Sequence, residues 1–91
     1  MELFSYFRDE LPKRMADINT AIEIGDLNKL SYLAHSFKGA AATVCAAEIA
    51  DCSAKLHQAA CEDDLERARL YVQELGPALD RVRNISIDNL P

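Results

Sequence analysis

Apolar residues recur along this chain at intervals of three and four. The first run is Phe4, Phe7, Leu11, Met15, Ile18 and Ile22, and the second is Leu27, Leu30, Ala34, Phe37, Ala41 and Val44. A weaker third run joins Ile49, Cys52, Leu56 and Ala59, and a fourth joins Leu65, Ala68, Val72, Leu75, Leu79 and Val82. With about 3.6 residues per turn, each set falls on one face of an α-helix. Alternation at period two, the mark of a half-buried strand, is absent. The pattern predicts four amphipathic helices. Short connections force sequential helices to lie side by side, so the expected fold is all-α, an antiparallel four-helix bundle running up-down-up-down.

The breaks between runs carry their own chemistry. Gly25 can take the left-handed conformation that ends a helix, and Asp26 can cap the next. Around Val44-Cys45-Ala46 there is neither Gly nor Pro, so that break rests on a change of phase alone. Asp63 with Glu66 three residues later reads as a capping box opening the fourth helix. Pro12 and Pro77 sit inside periodic segments and should each kink or loosen a helix. Leu79 and Val82 keep the phase beyond Gly76-Pro77. Nothing divides the chain, so one domain over residues 1–91 is expected, with a bundle core at about 3–85 and a frayed tail at 86–91.

Composition narrows the function. A chain of 91 residues, 49% apolar, suits one small globular domain. A net charge of −5 argues against binding nucleic acid through bulk charge. No stretch approaches the ~20 apolar residues that span a bilayer, so membrane insertion is not expected. The start, MELFSYFRDE, lacks the basic head and apolar centre of a signal peptide. Cys45, Cys52 and Cys61 are odd in number and form no CxxC pair, which disfavours a disulfide framework and a zinc ribbon. Free thiols suit a reducing, cytoplasmic setting. Residues 27–61 hold two acids and three bases, against six and three in 1–26 and seven and four in 62–91. The second and third helices are thus the least negative part of an acidic protein.

One set of residues does not serve the core. At about 100° per residue, His35 lies roughly 130° from the buried direction of its helix. It should face solvent, with Lys38 and Gly39 one turn on and Ser31 and Ala42 on the same strip. A glycine inside a helix costs about 1 kcal/mol relative to alanine. On a solvent face it makes sense where another molecule must approach the backbone closely. An exposed histidine alone is ordinarily a surface residue, and a His-Lys pair a solvated face. The three together, at i, i+3 and i+4, are more specific. A zinc site of His35, His57 and a cysteine has no familiar spacing, so no metal is expected. Cys52 falls on a buried run and reads as a small apolar residue.

The segment LAHSFKGAAATVCAAEIADCSAKLH resembles the phosphorylation motif of histidine-containing phosphotransfer (HPt) domains of bacterial two-component phosphorelays. That motif runs A-H-x-[LF]-K-G followed by small residues, then L-x-x-x-[CA]-x-x-[LM]-[EQ] on the next helix. Ala34, His35, Phe37, Lys38, Gly39 and Ala41 match its first half. Ile49, Cys52 or Ser53, and Leu56 fit the second, and Ala21, Gly25-Asp26 and Leu33 fit upstream. The resemblance spans about residues 3–83. Two positions depart from it. Cys45 stands where many members have glycine at the bend, and His57 stands where Glu or Gln is common. The first run begins almost at Met1, so the short extra N-terminal helix of many members is not expected within these residues.

The resemblance implies a bundle of the HPt type in which His35 is the phosphoacceptor. It would take a phosphoryl group from a response-regulator aspartyl phosphate or a kinase relay and pass it to another receiver aspartate. Lys38 would stabilise the phosphoryl oxygens, and Gly39, Ser31 and Ala42 would receive the partner. His57 could hydrogen-bond His35 or its phosphoryl group and orient the ring, or be a neutral spectator. The partners implied are response-regulator receiver domains and sensor or hybrid histidine kinases. No GxxxxGK loop or Gly-rich ATP lid is present, so the chain reads as a carrier rather than an enzyme. No cofactor is expected, and Mg²⁺ would come with the receiver. The rival from another class is a helical adaptor that binds a signalling partner without phosphotransfer.

Overall fold

The computed structural model of the chain describes residues 3–44 and 46–83, with side chains for 5–44 and 46–82. Within these residues there are four helices and no strand: α1 (Leu3–Ile24), α2 (Leu27–Thr43), α3 (Ala47–Cys61) and α4 (Leu65–Arg83). They pack as an antiparallel bundle 42 × 19 × 19 Å in extent. The most extensive contact is α2 against α3, followed by α3 against α4 and α1 against α2. The contact between α1 and α4 closes the bundle. None of these helices is long and apolar enough to cross a membrane.

The turns explain the helix ends. At the first, Gly25 has φ 72°, and its N–H bonds the Ile22 carbonyl at 3.2 Å. The next N–H, of Asp26, bonds the Ala21 carbonyl at 2.9 Å. This pair of bonds closes α1 with a Schellman motif. Asp26 then opens α2, its carboxylate accepting the Lys29 N–H at 3.0 Å. At the second turn the Ala46 N–H bonds the Ala41 carbonyl at 2.8 Å, and Ala46 precedes α3 without a side-chain cap. Cys45, the position singled out at this bend, lies outside the described residues.

The third turn corrects the expected capping box. Asp63 does not cap α4. It occupies the left-handed position after α3, with φ 58°. Its N–H bonds the Ala60 carbonyl at 3.2 Å, and that of Asp64 bonds the Ala59 carbonyl at 2.9 Å. The cap is Asp64, which accepts the Arg67 N–H at 3.1 Å. Aspartate tolerates left-handed backbone better than most residues. With no glycine between the helices, it therefore ended α3, and the cap moved one residue on.

Both prolines are carried inside continuous helices. Each lacks the N–H that would bond the carbonyl four residues back. At Pro77 that carbonyl belongs to exposed Gln73, where water can replace the bond.

The core follows the four runs. Phe7, Leu11 and Ile18 meet Leu30, Phe37, Ile49, Leu56, Val72, Leu75 and Leu79, with alanines between them. The rings of Phe7 and Phe37 lie 5.9 Å apart at 43°. Phe4 falls outside the described side chains, and the tail at 86–91 outside the described residues. The third run is corrected by one position. Ser53 is fully buried and Cys52 only half-buried at the margin. Partial burial, with Glu74 and Glu48 adding to it, pushes the Cys52 thiol up, so it stays protonated near neutrality.

On the surface, Arg81 of α4 grips Glu48 in the first turn of α3 through two hydrogen bonds, one of them Nε to Oε1 at 2.9 Å. These hydrogen bonds hold the Glu48 carboxyl below its usual range, with Coulomb attraction adding to them. The pair therefore supports the fold above the ordinary carboxylate range, and that support fades as pH falls through the lowered value. Solvent around the half-exposed pair keeps its contribution small.

Ser53 generates a prediction. Its Oγ is buried without a hydrogen-bond partner among the described residues. Leaving a hydroxyl unpaired costs about 1–3 kcal/mol, and alanine is the better helix former. Ser53→Ala should raise unfolding stability by about 1 kcal/mol in urea titration. A loss of stability would mean that the hydroxyl is paired in solution.

Candidate functional site

The exposed strip of α2 is set by what the helix buries. Leu30, Ala34, Phe37 and Ala41 face inward, fully buried. His35, Lys38, Gly39 and Ala42 are exposed as a consequence, and Ser31 is half-buried. The geometry of His35 thus matches the helical arithmetic. Lys38 makes no hydrogen bond or ion pair among the described residues, so its ammonium is uncommitted. A Cβ built on Gly39 meets nothing within 4 Å. Packing inside the chain therefore gives no reason for a glycine there.

One member of the strip was not singled out from the sequence. Tyr32, one turn before His35, is 72% exposed, the most exposed large apolar side chain among the described residues. The same angular arithmetic that placed His35 in solvent would have found it, as an aromatic residue off the buried run. Ser36, by contrast, points elsewhere. Its Oγ lies 3.5 Å from Arg14 Nη1 of α1, whose guanidinium also covers the Phe37 ring at 5.5 Å.

Against the strip, α3 brings His57. The rings of His35 and His57 lie 5.3 Å apart, tilted by 44°. The expected hydrogen bond from His57 to His35 is not made. His57 Nδ1 is instead 3.0 Å from the Ser31 carbonyl oxygen. A carbonyl only accepts, so Nδ1 carries the proton. That carbonyl has two lone pairs and can serve its own helix as well. Nδ1 is also 3.2 Å from Ser31 Oγ. The remaining nitrogen, Nε2, lies 3.6 Å from Cys61 Sγ, which lies 3.3 Å from Ser31 Oγ. The bonds then run one way: His57 N–H to Ser31, the Ser31 hydroxyl to sulfur, and the thiol to Nε2.

This arrangement changes the part of Ser31. Expected as docking surface, it is turned toward α3 and engaged with His57 and Cys61. The change comes from Cys61, whose partner Ser31 is 30 residues away in the chain. His57 and Cys61, four apart on one helix, were legible as a pair, but their register against Ser31 was not. Among the described residues no group of three or more metal-ligating side chains gathers.

A family model described as the Hpt domain matches residues 2–85. No curated protein and no solved structure matches the chain.

Open space at Gly39 leads to a direct test. Gly39→Ala introduces no clash and removes the helical penalty of glycine. Thermal or urea unfolding should show a gain of about 0.5–1 kcal/mol. A loss would place a packing role on Gly39 and remove the reason to assign it to a partner.

Proposed function

This chain belongs to the Hpt domain family, the histidine phosphotransfer modules of phosphorelays, and we propose that His35 is its phosphoacceptor. Hpt domains work with response-regulator receivers and kinases. On the proposed reading, His35 takes the phosphoryl group from a receiver aspartyl phosphate and returns it to another receiver aspartate. The observation that carries this is the strip itself: an exposed imidazole beside a free ammonium and an open glycine, on a helix whose other face is buried.

The transfer balances simply. A ring nitrogen of neutral His35 attacks phosphorus with its lone pair. The P–N bond forms as the P–O bond to the aspartate breaks in line, and the electron pair leaves on the carboxylate. The other ring nitrogen keeps its proton. Exposure is required because the donor is carried on another protein. Lys38 offsets negative charge on the phosphoryl oxygens. Gly39 and Ala42 leave room for the partner's loops, and Tyr32 adds an aromatic surface of the kind that anchors interfaces. The strip bears no carboxylate to hold Mg²⁺, so the metal is assigned to the receiver's site, where it would neutralise the transferring group. The chain itself supplies nucleophile, charge and shape, and acts as a phosphoryl carrier.

The experiment is radiolabel transfer from a phosphorylated receiver to the full chain. His35→Gln should accept no label and keep the helical circular dichroism of the parent, since His35 makes no core contact. Lys38→Ala should slow transfer by about 10- to 100-fold, the equivalent of one charge-assisted hydrogen bond of about 1.5–3 kcal/mol. Full labelling of His35→Gln would overturn the assignment. Tight binding of a receiver with no label on the parent chain would favour an adaptor instead.

A further inference from the structure

We infer that His57 is a positioning residue that becomes the counter-charge of phosphorylated His35, taking up a proton at Nε2 when the phosphoryl group arrives. The inference rests on the assignment of His35 as phosphoacceptor and deepens it.

Three features of the geometry support it. The first is proximity, with ring centres 5.3 Å apart and no hydrogen bond between them. A charge that arrives on one ring therefore acts on the other through space. The second is the anchor. Nδ1 donates to the Ser31 carbonyl at 3.0 Å, a bond that both the neutral and the protonated ring can make. Protonation does not require the ring to turn. The third is the free end. Among the described residues, Nε2 meets only the Cys61 thiol at 3.6 Å, a weak donor that is easily displaced or reversed. Once protonated, Nε2 can donate to that sulfur.

The surroundings decide when the proton arrives. The groups on the ring are His35 and Ser31 from α2 and Cys61 from α3. Among the described residues, no side chain of α1 or α4 and no carboxylate hydrogen-bonds or ion-pairs with it. Lys38 is the cation of the same α2 strip. Before transfer, the α2 strip carries no negative charge. After transfer, His35 carries a phosphoryl group with up to two negative charges, and an adjacent positive charge becomes favourable. Imidazole is the side chain that can make this change near neutral pH. The proton comes from solvent, and no covalent step is added. A Gln or Glu at this position could not supply the charge.

The test uses the full chain at pH 7.5, with ring-nitrogen ¹⁵N NMR before and after phosphorylation by potassium phosphoramidate, the P–N bond being followed by ³¹P NMR. Before phosphorylation, His57 should show a protonated Nδ1 and an unprotonated Nε2. In the phosphorylated fraction both nitrogens should be protonated. Phosphorylated His57→Gln should lose its phosphoryl group several-fold faster than the parent. That ratio should fade toward one as pH is raised and Nε2 gives up its proton. An Nε2 signal unchanged by phosphorylation, or a lifetime ratio flat with pH, overturns the inference while leaving His35 as acceptor. Absence of a phosphoryl signal on His35, or its appearance on His57, overturns both.

Discussion

The packing of α2 on α3 is the contact on which the rest of the molecule depends. Five of the nine residues that these helices bury are small: Ala34 and Ala41 on one, Ser53, Ala59 and Ala60 on the other. Helix separation follows side-chain size, and small buried residues suit the extensive contact between the two helices. Phe37, Ile49 and Leu56 then fix the rotation of each helix by filling the core. With the rotation fixed, His35 has only solvent to face, and His57 has only the edge of the α2 strip. The 5.3 Å approach of the two rings follows from how the core is filled. A bulky residue at Ala34 or Ala59 would therefore disturb the site without touching either imidazole.

Charge is arranged around that contact in a way that suits an anionic donor. The acids are concentrated in α1, α4 and the turns, while residues 27–61 carry two acids and three bases. Glu48, one of those two acids, is committed to Arg81 at the far turn of α3 from His57. The strip around His35 holds one ammonium and no carboxylate. Steering is modest at this charge density, which agrees with a small, transient interface of the kind signalling partners form. The proposed chemistry needs little more from this chain, because a carrier must give the group up as readily as it takes it.

Much of this was legible in the sequence, for physical reasons. Helical periodicity is strong when core and solvent faces differ, so the four helices and the outward direction of His35 could be read from spacing alone. Gly25-Asp26 likewise declared its turn. The misses lie where side chains compete for similar places. Cys52 and Ser53 are adjacent, and hydropathy favoured the cysteine, but the rotation of α3 buried the serine. Asp63 and Asp64 are the same residue type, and the need for a left-handed residue after α3 decided which one became the cap. The Ser31–His57–Cys61 set depended on the register of two helices, which no local pattern records. Tyr32 is different: its angle on α2 alone places it in solvent beside His35.

The most direct test of the central claim is to locate the phosphoryl group. The full chain would be incubated with a phosphorylated receiver, and the product fragmented at neutral pH by a method that preserves P–N bonds, then mapped by mass spectrometry. The account predicts an added phosphoryl group on a fragment containing His35 and on no other residue. A phosphoryl group on His57 or on a serine, or none on the chain after the receiver has lost its own, would contradict it.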